Sequence, residues 1–121
     1  MTKRILVVED EEDNRQILRD LLKPTGYELV EVEDGVQAVA TVARQRPDLI
    51  LMDIHLPNMD GYEATRRIRS NPDNKGIPII AVTSYALPGD EGKAIAAGCD
   101  AYVAKPYSPR QLLAKIKEYL T

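Results

Sequence analysis

The stretch that decides the fold is PDLILMDIHLPNMDGYEA, residues 47–64. Four apolar residues, Leu49–Met52, run straight into Asp53, and His55, Pro57, Asp60 and Gly61 follow with turn chemistry. A short, continuous apolar run closed by a turn is the pattern of a strand buried on both faces, as in a parallel sheet covered by helices. This strand carries a carboxylate at its tip. An ionised carboxylate in apolar surroundings costs several kcal/mol unless a cation or hydrogen-bond donors compensate it. Asp53 therefore needs partners from elsewhere in the chain.

Outward from this stretch the pattern repeats. Ile5–Val8 and IPIIAVTS (77–84) are further continuous apolar runs, ELVEVE (28–33) alternates, and DAYVAKP (100–106) is a short, mixed fifth strand. Helical spacing lies between them. Residues 12–23 turn Ile17, Leu18, Leu21 and Leu22 inward and stop at Pro24 and Gly26. After the Asp34-Gly35 turn, a second helix is expected to bury Val36, Val39, Ala40 and Ala43. Residues 61–70 form a third. Residues 87–97 form a fourth, with Pro88 in its first turn and a thin apolar face of Ala94, Ile95 and Ala97. Residues 109–120 form a fifth, with Leu112, Leu113, Ile116 and Leu120 inward.

Five strands alternating with five helices make an α/β, doubly wound parallel (βα)5 sheet. The continuously apolar strands one, three and four belong in the centre, and strands two and five at the edges. Right-handed crossovers then give strand order 2-1-3-4-5. In that order the chain reverses direction between strands one and three, and sites form beyond the carboxyl ends of the strands flanking the reversal. Strand one ends at Glu9-Asp10 and strand three at Asp53, so three carboxylates converge there. Thr83 and Lys105 end strands four and five on the same rim.

Each element alone has an ordinary reading. The run Glu9–Asp13 suits a helix N-terminus, Asp53 a turn cap, and Lys105 an exposed strand end. Together they are a chemical constellation. Crowded carboxylates cannot all stay ionised without a cation. Oxygen donors without a cysteine or a histidine pair suit a hard ion such as Mg²⁺. An aspartate beside Mg²⁺ and a lysine is a nucleophile toward phosphorus, giving an aspartyl phosphate.

Composition limits the alternatives. The chain's 121 residues suit one domain, 1–121. Hydrophobic residues make up 44% and charged residues 29%, a globular balance. The net charge of −3 argues against a nucleic-acid footprint, and Arg66, Arg67 and Arg69 read as a solvated helix face. Cys99, the single cysteine, excludes an internal disulfide and packs as a small apolar residue. The start, MTKRILVVEDEE, lacks a signal peptide's apolar core, and no apolar run is long enough for a membrane span, so a cytoplasmic protein is expected.

At this point ILVVEDEEDNR (5–15), LILMDIHLPNMDGYEATRRIR (49–69), IPIIAVTSYA (77–86) and AYVAKPYS (101–108) resemble the response regulator receiver domain over essentially the whole chain. The resemblance implies the flavodoxin-like fold, with Asp53 as phosphoacceptor. It implies Mg²⁺ ligation by Asp10, Asp53 and the backbone carbonyl of His55, with Glu9 acting through water. It implies that Lys105 contacts the phosphoryl group, that Thr83 and Tyr102 form the switch pair, and that Lys105-Pro106 is the family's cis peptide. It also implies a histidine kinase or histidine phosphotransferase as phosphoryl donor and a downstream protein target. Neither nucleic acid nor membrane is an expected partner. The expected state is a monomer, with dimerisation on phosphorylation as the alternative.

Within the family the chain is most similar to free-standing regulators, which Met1 and the compact C-terminus favour. The runner-up is a receiver cut from a hybrid histidine kinase. An aspartyl-nucleophile, Mg²⁺-dependent phosphohydrolase commonly shows Asp-x-Asp, whereas His55 stands two places after Asp53, and no cap insertion is present. A flavin or nucleotide binder would need phosphate donors after strand one, where EDEED (9–13) repels phosphate. GDEGKA (89–94) is too short for a P-loop and lacks the following Ser or Thr.

Overall fold

Continuous apolar runs become the centre of the sheet. The computed structural model describes residues 2–83, 87–104 and 106–120. In chain order it contains β1 (Arg4–Val8), α1 (Glu12–Leu22), β2 (Glu28–Val32), α2 (Gly35–Gln45), β3 (Leu49–Met52), α3 (Gly61–Arg69), β4 (Ile79–Thr83), α4 (Asp90–Ala97), β5 (Ala101–Ala104) and α5 (Pro109–Leu120). The strands are all parallel, in the order β2-β1-β3-β4-β5, as the burial pattern predicted.

Side-chain alternation along each strand feeds two apolar layers. Leu6, Val8, Ile50, Met52, Ile79 and Ala81 pack under α2, α3 and α4, against Ala38, Val42, Ala64, Ile68 and Ala94. Ile5, Val7, Leu49, Leu51, Ile80 and Val82 face the other way, onto Leu18 and Leu22 of α1 and Leu112 and Ile116 of α5. Leu49–Met52 are at most 1% exposed. Each such leucine or isoleucine contributes about 1.5–3 kcal/mol on burial. Val8 pairs with Met52, so Glu9 and Asp53 leave the sheet side by side at the reversal.

Expectations on four of the helices need correction. On α2, Val36, Ala40 and Ala43 are exposed, and Ala38, Thr41 and Val42 face inward, with Val39 partly buried. The start of α2 fixes this orientation. The Asp34 carboxylate accepts the Gln37 N–H at 2.8 Å. Gly35 lies so close to the β3–α3 loop that a methyl there would overlap the Met59 carbonyl oxygen. Positions 35, 38 and 42 are therefore the inner face. On α1, Ile17 is exposed, leaving Leu18 and Leu22 as the buried pair.

The fourth helix begins at Asp90 rather than at 87. Leu87–Gly89 form a turn closed by the Asp90 N–H on the Leu87 carbonyl at 3.0 Å, with Gly89 left-handed at φ 87°. A helix cannot continue back through that backbone, so Pro88 sits in the turn. Ile95 points to solvent, and Ala94 and Ala97 are the buried contacts.

Nor are the three arginines of α3 one solvated face. Arg66 and Arg67 are exposed and pair with Glu63. Arg69 folds inward, donating to the carbonyls of Gly98 and Asn74 and to Asp100. Cys99 is buried as expected, with its Sγ 3.7 Å from Thr65 Oγ1.

Two glycine substitutions separate these effects. Gly92 lies inside α4 with open space where a methyl would go, so Gly92→Ala is expected to stabilise by about 0.5–1 kcal/mol. Gly35→Ala must push the β3–α3 loop away and is expected to cost about 1–3 kcal/mol. Urea denaturation measures both, and equal effects would contradict the packing described.

Candidate functional site

The register of β1 against β3 places the acidic residues at the sheet's carboxyl edge. The Asp53 N–H continues the ladder to the Val8 carbonyl at 3.0 Å, and the Glu9 N–H reaches the Val32 carbonyl at 3.1 Å. Glu9 and Asp53 are buried and Asp10 is more open. One carboxylate oxygen from each of the three lies within 4.8 Å of the others.

Backbone donors from the described residues reach two of the three acids. The Glu11 N–H donates to Glu9 at 3.1 Å, and the His55 N–H to Asp53 Oδ1 at 3.2 Å. Arg15 donates to the Glu9 backbone carbonyl at 2.8 Å and pairs with Glu12 through the same guanidinium. Burial, reinforced by the neighbouring Asp53, pushes the Glu9 carboxyl well above its usual range. Burial also raises Asp53, against the lowering effect of the His55 N–H. Two carboxyls in this position share a proton, or they share a cation. The all-oxygen donor set of three crowded acids fits a hard divalent ion such as Mg²⁺.

The other predicted residues fall as follows. Thr83 ends β4, fully buried, opposite Ala104 of β5. Tyr102 is half-buried on β5 and packs against the α2–α4 layer. The loop carrying His55 folds back on itself, with the Gly61 N–H on the Ile54 carbonyl at 2.8 Å. The His55 side chain is exposed, and its Nε2 lies 3.5 Å from Asp90 Oδ2. Lys105, and with it the Lys105-Pro106 peptide, lies outside the described residues.

Sequence reasoning missed the supports of this loop. Asn58, left-handed at φ 65°, donates to Asp34 at 2.9 Å, and the Gly35 N–H reaches the Met59 carbonyl at 3.2 Å. The Tyr62 hydroxyl donates to Asp90 Oδ1 at 2.5 Å. These contacts join residues more than twenty positions apart, beyond the reach of any local pattern.

A pH dependence follows. In metal-free buffer the folded chain holds the Glu9 proton up to about pH 8, whereas the unfolded chain releases it near pH 4.5. Between these values the folded state binds more protons, so stability should fall as pH rises through that window. Saturating Mg²⁺ should flatten the curve. Thermal melts across the range with and without Mg²⁺ check this, and stability rising with pH in metal-free buffer would contradict it.

The geometry has counterparts in known proteins. A family model described as the response regulator receiver domain matches residues 5–117. The polar-differentiation response regulators DivK of Brucella ovis and Brucella abortus are 42% identical over 120 residues, covering 99% of this chain and 98% of theirs. The receiver domain of a sensor histidine kinase from Pseudomonas aeruginosa, solved with magnesium coordinated in its active-site cleft, superposes with TM-score 0.91. It is 41% identical, and the match covers 99% of this chain and 98% of that one. The chemotaxis response regulator CheY4 of Vibrio cholerae superposes with TM-score 0.89 at 29% identity, covering 99% and 100%. With the 2-1-3-4-5 sheet and three acids at its reversal, these matches establish that the chain belongs to the response regulator receiver domain family, a module of two-component signalling.

Proposed function

We propose that this receiver accepts a phosphoryl group on Asp53 from a phosphohistidine of a histidine kinase or histidine phosphotransferase, in a Mg²⁺-dependent reaction. The observation that carries the reading is the convergence of Glu9, Asp10 and Asp53 at the sheet reversal. An Asp53 carboxylate oxygen attacks phosphorus, and the phosphorus–nitrogen bond breaks. Its electron pair stays on the donor's ring nitrogen, and the proton on the ring's other nitrogen makes the leaving group a neutral histidine. Mg²⁺ held by Asp10, Asp53 and the His55 carbonyl, with Glu9 acting through water, would neutralise charge on the phosphoryl oxygens.

The chain's own groups do the rest. The His55 N–H orients the Asp53 carboxylate. Thr83, buried at the end of β4, offers a hydroxyl to a phosphoryl oxygen, and Tyr102 on the neighbouring strand follows it. Lys105, assigned on the resemblance alone, contacts the phosphoryl group as a point charge. The chemistry is self-directed, so the protein is a switch rather than an enzyme acting on other substrates.

The output is a change in the surface formed by α4, β5 and α5, read by a downstream protein. Leu87 and Ile95 are exposed at or near α4, and Tyr102, Val103, Tyr107, Gln111 and Lys115 line a groove along β5 and α5. We place the protein in the cytoplasm as a monomer in its resting state. No helix among the described residues is long and apolar enough to cross a membrane.

Acetyl phosphate with Mg²⁺ should add one base-labile phosphoryl group, read by mass spectrometry, and Asp53→Asn should accept none. An Asp53→Asn chain labelled at the wild-type rate would overturn the assignment. Asp10→Asn should weaken Mg²⁺ binding by at least about tenfold, the lower end of what even outer-sphere changes cost a metal site. Equal affinity in calorimetric titrations would remove Asp10 from the site. Lys105→Ala should keep the fold, by circular dichroism, and slow phosphorylation.

A further inference from the structure

One polar cluster that the phosphoacceptor reading does not use is centred on Asp90, the first residue of α4. Asp90 is only 3% exposed. Oδ1 accepts the Tyr62 hydroxyl at 2.5 Å, and Oδ2 accepts the Leu87 N–H at 2.7 Å, with His55 Nε2 3.5 Å away. Closing the turn before α4 needs one of these oxygens, since the Leu87 N–H and the reciprocal Asp90 N–H bond already complete it. The other oxygen is given to α3, across 28 residues of sequence.

The Tyr62 hydroxyl and the Leu87 N–H thus both donate to one buried carboxylate. A buried ion seldom improves stability over an apolar packing of the same volume, whereas losing one of its partners is costly. Such an arrangement makes α4 sensitive to where its partners are. Beyond the Leu87 turn, the two remaining partners belong to the Asp53 region. Tyr62 opens α3 directly after the β3–α3 loop. His55 lies two residues beyond Asp53 and donates its N–H to Asp53 Oδ1.

We propose that Asp90, clamped by Tyr62 and approached by His55, is a positioning residue that ties α4 to the Asp53 loop. Chemistry on Asp53 then reaches α4 by a path separate from Thr83 and Tyr102. The proposal rests on the reading of Asp53 as phosphoacceptor. The coupling needs no large apolar interface, and α4 has little: Ala94 and Ala97 are its buried apolar residues. A helix so lightly packed can be biased by one strong polar contact.

Beryllofluoride with Mg²⁺ on the full chain tests this. Fluorine NMR reads binding at Asp53. Hydrogen exchange reads α4 (residues 90–97), with α1 (residues 12–22) as the control for global folding. The wild type should bind, and its α4 exchange should change. Tyr62→Phe, which removes only the hydroxyl, should still bind, leave α1 unchanged, and shrink the α4 response by at least about half as the coupling is lost. Asp90→Asn should do the same, and the double variant should respond no less than Asp90→Asn alone, because both changes break one link. A full α4 response in Tyr62→Phe would overturn the proposal while leaving the phosphoacceptor reading intact. Loss of binding in Tyr62→Phe would also overturn it, by placing Tyr62 in the site itself. A wild type that binds no beryllofluoride would overturn the phosphoacceptor reading and this proposal with it.

Discussion

The carboxylates of Glu9 and Asp53 are buried beside one another at the carboxyl end of the sheet, with Asp10 at the open side. Burial raises the proton affinity of both, and the neighbouring Asp53 raises that of Glu9 further, until a proton or a metal intervenes. The rest of the structure exists around that constraint. Only a parallel sheet whose order reverses between β1 and β3 puts two strand ends side by side with no helix between them. Two apolar layers, one under α2–α4 and one under α1 and α5, supply the stability that such a destabilised edge consumes.

The loop from Asp53 to Gly61 is held from both sides. Asp34 and Gly35 grip Asn58 and Met59 at the start of α2, and Asp90 grips Tyr62 while approaching His55 at the start of α4. The two anchors differ in what lies behind them. The α2 helix is packed through Ala38, Thr41 and Val42, with Val39 partly buried, whereas α4 buries mainly Ala94 and Ala97. A displacement at Asp53 will therefore move the weaker side. That places the movable surface on α4 and its neighbour β5, where the half-buried Tyr102 stands.

Much of this was legible in the sequence, for identifiable reasons. Parallel strands buried on both faces must be continuously apolar, so Ile5–Val8, Leu49–Met52 and Ile79–Val82 announced the central strands and, through them, the order and the meeting of Glu9, Asp10 and Asp53. Thr83 was found at its strand end by the same logic. The inner face of α2 was misread because valine outranks alanine in hydrophobicity, while the capping aspartate and the close approach of Gly35 set the helix rotation. The start of α4 was misread because a proline suits a first helical turn, and only the left-handed Gly89 shows that the turn ends there. Arg69 looked like its exposed neighbours because its partners, Gly98 and Asp100, arrive from a distant loop. Asp90 and Tyr62 gave no local signal, since nothing in a single sequence pairs two residues so far apart.

On the proposed function, the crowded Glu9–Asp53 pair is the charge that a metal neutralises. The most direct measurement is a carbon-13 NMR titration of the Glu9 and Asp53 side-chain carboxyls, without Mg²⁺ and at saturating Mg²⁺. Glu9 is expected to titrate far above an ordinary glutamate without the metal, and Mg²⁺ is expected to bring both carboxyls down to or below their usual range. A Glu9 titration that is ordinary without Mg²⁺, or unchanged by it, would contradict the account.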